Sequence, residues 1–119
     1  MPDLTYVDVV PCLLRDVPEL APVMDAHFRD NGEVLPHVIL GDVTRFVHEA
    51  LKRGDRSTVR RILAVLERAF VSRDQDAREL VSASFLENLE PGAGELRTLT
   101  ALAGPKMKEV LVRWPQNSN

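Results

Sequence analysis

The chain has 119 residues, 45% of them hydrophobic and 28% charged, with a net charge of −3. That length fits one domain with a buried core, and the acidic balance argues against a dedicated nucleic-acid binder, which would carry a basic excess. Cys12 is the single cysteine, which rules out an intrachain disulfide framework, and no run approaches the roughly 20 apolar residues of a membrane span.

Met1 to Asp8 carries two acids and no base, so it does not read as a secretion signal, and the expected setting is a reducing cytoplasm. Val7, Val9 and Val10 favour an extended or loosely ordered segment over 1–10, closed by Pro11. Pro11 to Arg15 fits one helical turn. Asp16 is placed to cap a helix with Pro18 in its first turn, which Pro22 either kinks or starts. Leu20, Val23, Met24, His27 and Phe28 line the inner face of that helix, and Asn31-Gly32 ends it in a left-handed turn.

Glu33 to Gly41 reads as a connector whose aliphatic residues, Val38 and Ile39 among them, pack inward. Asp42 then caps a helix to Arg53, with Val43, Phe46, Val47, Ala50 and Leu51 inside. Gly54 ends that helix and Asp55 begins the next. Arg56 to Ser72 is the cleanest amphipathic stretch, with Val59, Ile62, Leu63, Leu66, Ala69 and Phe70 on one side. Asp76 to Glu90 reads as one central, deeply buried helix that Pro91-Gly92 breaks. Glu95 to Ala103 is a short helix, Gly104-Pro105 restarts the chain into a last one, and 116–119 is a polar tail. The fold class is therefore all-α, a single domain over 1–119. About six short helices stack as antiparallel hairpins, in a bundle or a HEAT/armadillo-like arrangement.

Charge is unevenly placed. Residues 1–55 hold 10 acids and 5 bases, 56–73 hold 1 acid and 5 bases, and 74–119 hold 7 acids and 5 bases. On a continuous 76–90 helix, Asp76, Glu79, Ala83, Glu87 and Glu90 fall within about 80° of arc, an acidic seam on an otherwise apolar helix. No base sits in that seam, although a Lys or Arg four residues after a Glu would steady the helix. Glu79, Glu87 and Glu90 are therefore candidate contacts for a basic partner. Arg60, Arg61 and Arg68 on the preceding helix are the internal competitors for them.

His27, His37 and His48 are spaced by 10 and 11, which matches no metal motif, so neither metal nor cofactor is expected. His27 fits a buried, hydrogen-bonded histidine. His37 lies close to Asp42 and Arg45; a His–Asp pair can serve acid–base chemistry or tie a loop to a helix start. Arg45 has a possible mate in Glu49, four residues on. Cys12, Ser82 and Ser84 are conceivable nucleophiles without a recognisable partner motif, and Ser84 fits a small residue at a helix crossing.

Three stretches carry a resemblance: His27-x3-Asn31-Gly32-Glu33, then Leu35-Pro36-His37-Val38-x2-Gly41-Asp42-Val43-Thr44-Arg45, then Ser84-Phe85-Leu86-Glu87-Asn88-Leu89. Ala103-Gly104-Pro105 fits the same pattern. The chain resembles an uncharacterised family of small helical bacterial proteins, some of which are similar to immunity proteins encoded beside polymorphic toxins. The similarity covers most of residues 16–112 and implies a bacterial helical domain that binds a protein. The expected function is thus a cytoplasmic protein-binding domain, with an immunity protein that sits on a basic toxin as its specific form. Candidate contacts are Glu79, Glu87, Glu90, His37, Asp42 and Arg45. The rivals are a small enzyme with a His37/Asp42 pocket and a structural adaptor in a larger complex. Neither nucleic acid nor membrane is an expected partner.

Overall fold

A computed structural model describes residues 3–114, and the polar tail over 116–119 lies outside them. The described residues form seven α-helices and two 3₁₀ turns, without a strand. The helices are α1 Tyr6–Asp16, α2 Ala21–Asn31, α3 Pro36–Lys52, α4 Arg56–Phe70, α5 Gln75–Ser84, α6 Ala93–Leu102 and α7 Pro105–Val112. The radius of gyration is 13.6 Å, about that of a compact chain of this length.

The helix at the centre is α4, not the 76–90 segment. It packs against α1, α3, α5, α6 and α7. Val59, Ile62, Leu63, Leu66 and Ala69 are fully buried, as the helical period requires of its apolar stripe. Asp55 caps its start by accepting the Thr58 N–H at 3.2 Å. Gly32 (φ 74°) and Gly54 (φ 76°) adopt the left-handed conformation that closes α2 and α3.

Of the described residues in the 1–10 segment, Thr5 is extended but 6–10 are helical, contrary to the expectation for its valines. From Tyr6 the chain is helical, and Pro11 sits inside α1 rather than ending a strand. The carbonyl that Pro11 leaves without a donor belongs to Val7, which is 73% exposed. Val9, Val10, Cys12 and Leu13 bury the opposite face, chiefly against α4. A remote carboxylate starts the helix: Asp74 Oδ2 accepts the Tyr6 N–H at 2.7 Å. Asp16 ends α1 instead of capping α2, Pro18–Leu20 forms a 3₁₀ turn, and α2 begins at Ala21 with Pro22 in its first turn.

Two other boundaries move. The connector is shorter than expected, because α3 starts at Pro36, two turns before Asp42. Leu35 is extended, as a residue before proline should be, and Pro36 fits the first helical position. Asp42 is consequently interior to a helix and caps nothing. Ile39 is buried, but Val38 is 48% exposed, contrary to expectation. The supposed 76–90 helix ends at Ser84. Phe85 follows the helix with a widened φ (φ −114°, ψ −63°), Leu86–Asn88 makes a 3₁₀ turn, and Leu89 is extended. A straight helix would have pointed its apolar residues in almost every direction; the break lets Phe85, Leu86 and Leu89 all turn inward.

Candidate functional site

The break after α5 removes the single acidic seam. Glu79 stays on α5, Glu87 lies in the 3₁₀ turn, and Glu90 follows the extended Leu89. All three are exposed. None forms an ion pair among the described residues. Two of the three internal competitors go elsewhere: Arg61 binds Glu19 at 2.5 and 2.9 Å, and Arg68 reaches the Cys12 sulfur at 3.4 Å.

Glu90 has a new setting. It lines a cleft of about 300 Å³ between α3, residues 88–91 and α6. Val47, Leu51, Leu89 and Leu99 supply apolar walls. Arg45, His48, Glu49, Asn88, Glu90 and Glu95 supply polar ones. The sequence placed Arg45 and Glu90 in its candidate set, and the fold brings both to this cleft. It missed His48, Glu49, Asn88 and Glu95; the signal for Asn88 was its place in the third resemblance stretch. His48 Nδ1 lies 3.1 Å from a Glu95 oxygen, which ties α3 to α6 across the cleft. Asn88 donates to the Ser84 carbonyl at 2.9 Å and holds the turn that delivers Glu90. Three carboxylates against one arginine and one histidine give the cleft a negative rim over an apolar floor.

His37 and Asp42 take different partners. His37 Nδ1 lies 2.5 Å from Ser84 Oγ, and its ring centroid is 6.0 Å from that of Tyr6. Ser84 itself is buried, and its carbonyl also accepts from Thr44 Oγ1. This contact joins α3 to the end of α5 where the helix stops. A serine–histidine contact is half of a nucleophile–base arrangement, which needs a third group to orient the base. Among the described residues no carboxylate hydrogen-bonds His37. Asp42 pairs instead with Arg45, one turn on, and faces His27 at 3.8 Å.

His27 is the buried, hydrogen-bonded histidine that was expected, 3% exposed. Its Nε2 accepts the Leu35 N–H at 2.9 Å, so a neutral ring carries its proton on Nδ1. Nδ1 faces the Asn31 amide at 3.2 Å and, beyond it, Asp42. Asn31 also donates to the His27 carbonyl at 2.8 Å. The His27–Leu35 hydrogen bond thereby ties α2 to the start of α3. Burial pushes the Cys12 thiol up, and the nearby Asp16 charge adds to this, so its thiolate is disfavoured. Among the described residues no three His, Cys, Asp or Glu side chains gather to hold a metal ion, and no helix is long and apolar enough to cross a membrane.

A family model described as Domain of unknown function (DUF7674) matches residues 10–119. Nothing among curated proteins matches the chain. Nothing among solved structures matches it either.

Proposed function

The chain belongs to that family of domains, and we propose that it binds a protein whose basic side chain enters the cleft between α3 and α6. The observation that carries this reading is Glu90: an exposed carboxylate, free of any ion pair among the described residues, at an apolar-floored cleft. Glu49 lines the same cleft and is likewise exposed. A lysine or arginine of a partner would lay its aliphatic stem on Leu51, the half-buried apolar wall residue, and meet the carboxylates with its head. Glu87 is exposed three residues before Glu90 and adds to the attraction during approach.

The specific form of the proposal is an immunity protein, acting in the bacterial cytoplasm, that neutralises a toxin by covering its active surface. The resemblance of the His27–Gly32, Leu35–Arg45 and Ser84–Leu89 stretches supports it. A nuclease toxin presents a basic substrate cleft, which an acidic surface would complement. The test begins with purification of the native partner from host cells, followed by titration at low salt. Glu87→Lys/Glu90→Lys should fold normally, bind at least about tenfold more weakly and lose most of the salt dependence. Unchanged affinity of the folded double variant would remove the cleft as the interface.

A further inference from the structure

A second surface, distinct from the cleft, is apolar. α1, α2 and the start of α3 enclose a groove of about 650 Å³. Val7 (73% exposed), Phe28 (56%), Val34 (54%) and Leu14 (40%) all line it. These are four of the seven large hydrophobic residues exposed among the described ones, gathered on one face. Scattered exposed aliphatics need no explanation, whereas a contiguous apolar patch marks an interaction site. The groove and the acidic cleft share no lining residue.

Two charges also line the groove, Asp25 and Arg29, which flank Phe28 on α2. They are four residues apart, and so neighbours on one face. Neither forms an ion pair among the described residues. One acid and one base, a turn apart beside an exposed aromatic, make a self-complementary pattern. A two-fold axis places residue i opposite j and j opposite i. When two α2 helices run antiparallel about an axis near position 27, each Asp25 meets the Arg29 of the other copy. Phe28 then enters the groove of the other copy, against Val7 and Leu14. A strongly basic partner fits this face poorly, because Arg29 repels it.

We propose that the groove between α1 and α2 is the dimer interface for a second copy of this chain, with α2 paired antiparallel and Asp25 and Arg29 exchanged across the two-fold axis. The dimer leaves both acidic clefts open.

Sedimentation equilibrium of the full chain tests this. The wild-type chain should dimerise reversibly, and Phe28→Glu should leave it monomeric. Asp25→Arg alone sets like charges opposite each other and should weaken the dimer about tenfold or more, as should Arg29→Asp. The combined Asp25→Arg/Arg29→Asp chain restores opposite charges and should regain wild-type association within a few-fold. Asp25 and Arg29 are exposed, so these arms remain readable even if Phe28→Glu unfolds. A chain that stays monomeric at about 1 mM, or a combined variant no tighter than the single ones, overturns the proposal.

Discussion

Glu67 on α4 and Gly104 before α7 fit together because Gly104 has no side chain. A Cβ at position 104 would lie 2.6 Å from both Cγ and Cδ of Glu67. The backbone of Gly104 is ordinary (φ −72°), so space, not conformation, calls for glycine there. Glu67 uses the approach to accept the N–H groups of Lys106 at 2.8 Å and Met107 at 3.0 Å. The two free donors at the start of α7 are thus satisfied from another helix. Gly104→Ala should push Glu67 aside and cost about 1–3 kcal/mol in urea denaturation. Glu67→Ala should cost a similar amount, and the double variant well under the sum, because both changes remove one contact. Additive losses would show that Gly104 and Glu67 act separately.

Asp74 serves two helix starts with one carboxylate. Oδ2 takes the Tyr6 N–H of α1, and Oδ1 takes the Asp76 N–H of α5 at 3.0 Å. Removing a helix cap costs about 1 kcal/mol, and a hydrogen bond to a charged group is worth about 1.5–3. Asp74→Ala should therefore lose about 2–4 kcal/mol. Amide exchange locates the loss: the first turns of α1 and α5 should both exchange faster, although 68 residues separate Tyr6 from Asp74. Faster exchange in α5 alone would leave α1 with some other anchor.

The Arg61 guanidinium beside Glu19, helped by a backbone hydrogen bond, holds the Glu19 carboxyl at about 2, against an ordinary 4.5. A carboxyl lowered in the folded state stabilises fully above its unfolded value, and that contribution fades as pH falls from about 4.5 to about 2. Both side chains are partly exposed, 43% for Glu19 and 38% for Arg61, so added salt should weaken the effect. Carboxyl NMR titration of the wild type should show Glu19 far below 4.5. Arg61→Gln should return it towards 4.5, and Glu19→Gln should flatten the acid arm of the stability curve. A Glu19 that titrates near 4.5 in the wild type would mean that the pair does not persist in solution.

Much of this architecture was readable from local chemistry. The stripe Val59–Ile62–Leu63–Leu66–Ala69 repeats at the helical period and needs no knowledge of its neighbours to be recognised as buried. Gly32, Gly54 and Asp55 mark helix ends through backbone preferences that belong to single residues. The burial of His27 followed from its place on an apolar face. Glu79, Glu87 and Glu90 are exposed and form no ion pair among the described residues, but they do not share one helix.

What the sequence alone determined is the set of amphipathic helices and most of their stops, because periodicity, glycine and capping act within a few residues. Only the tertiary structure decided the rest. α1 forms against the preference of its valines because α4 covers Val9 and Leu13 and Asp74 holds Tyr6. α5 stops at Ser84 because Thr44, Asn88 and His37 bind that residue while Phe85, Leu86 and Leu89 turn into the core. The cleft around Glu90 joins α3 to α6, segments some 40 residues apart, and its shape depends on that break. Contacts over such distances leave no periodic trace, since what fixes them is how the packed helices meet.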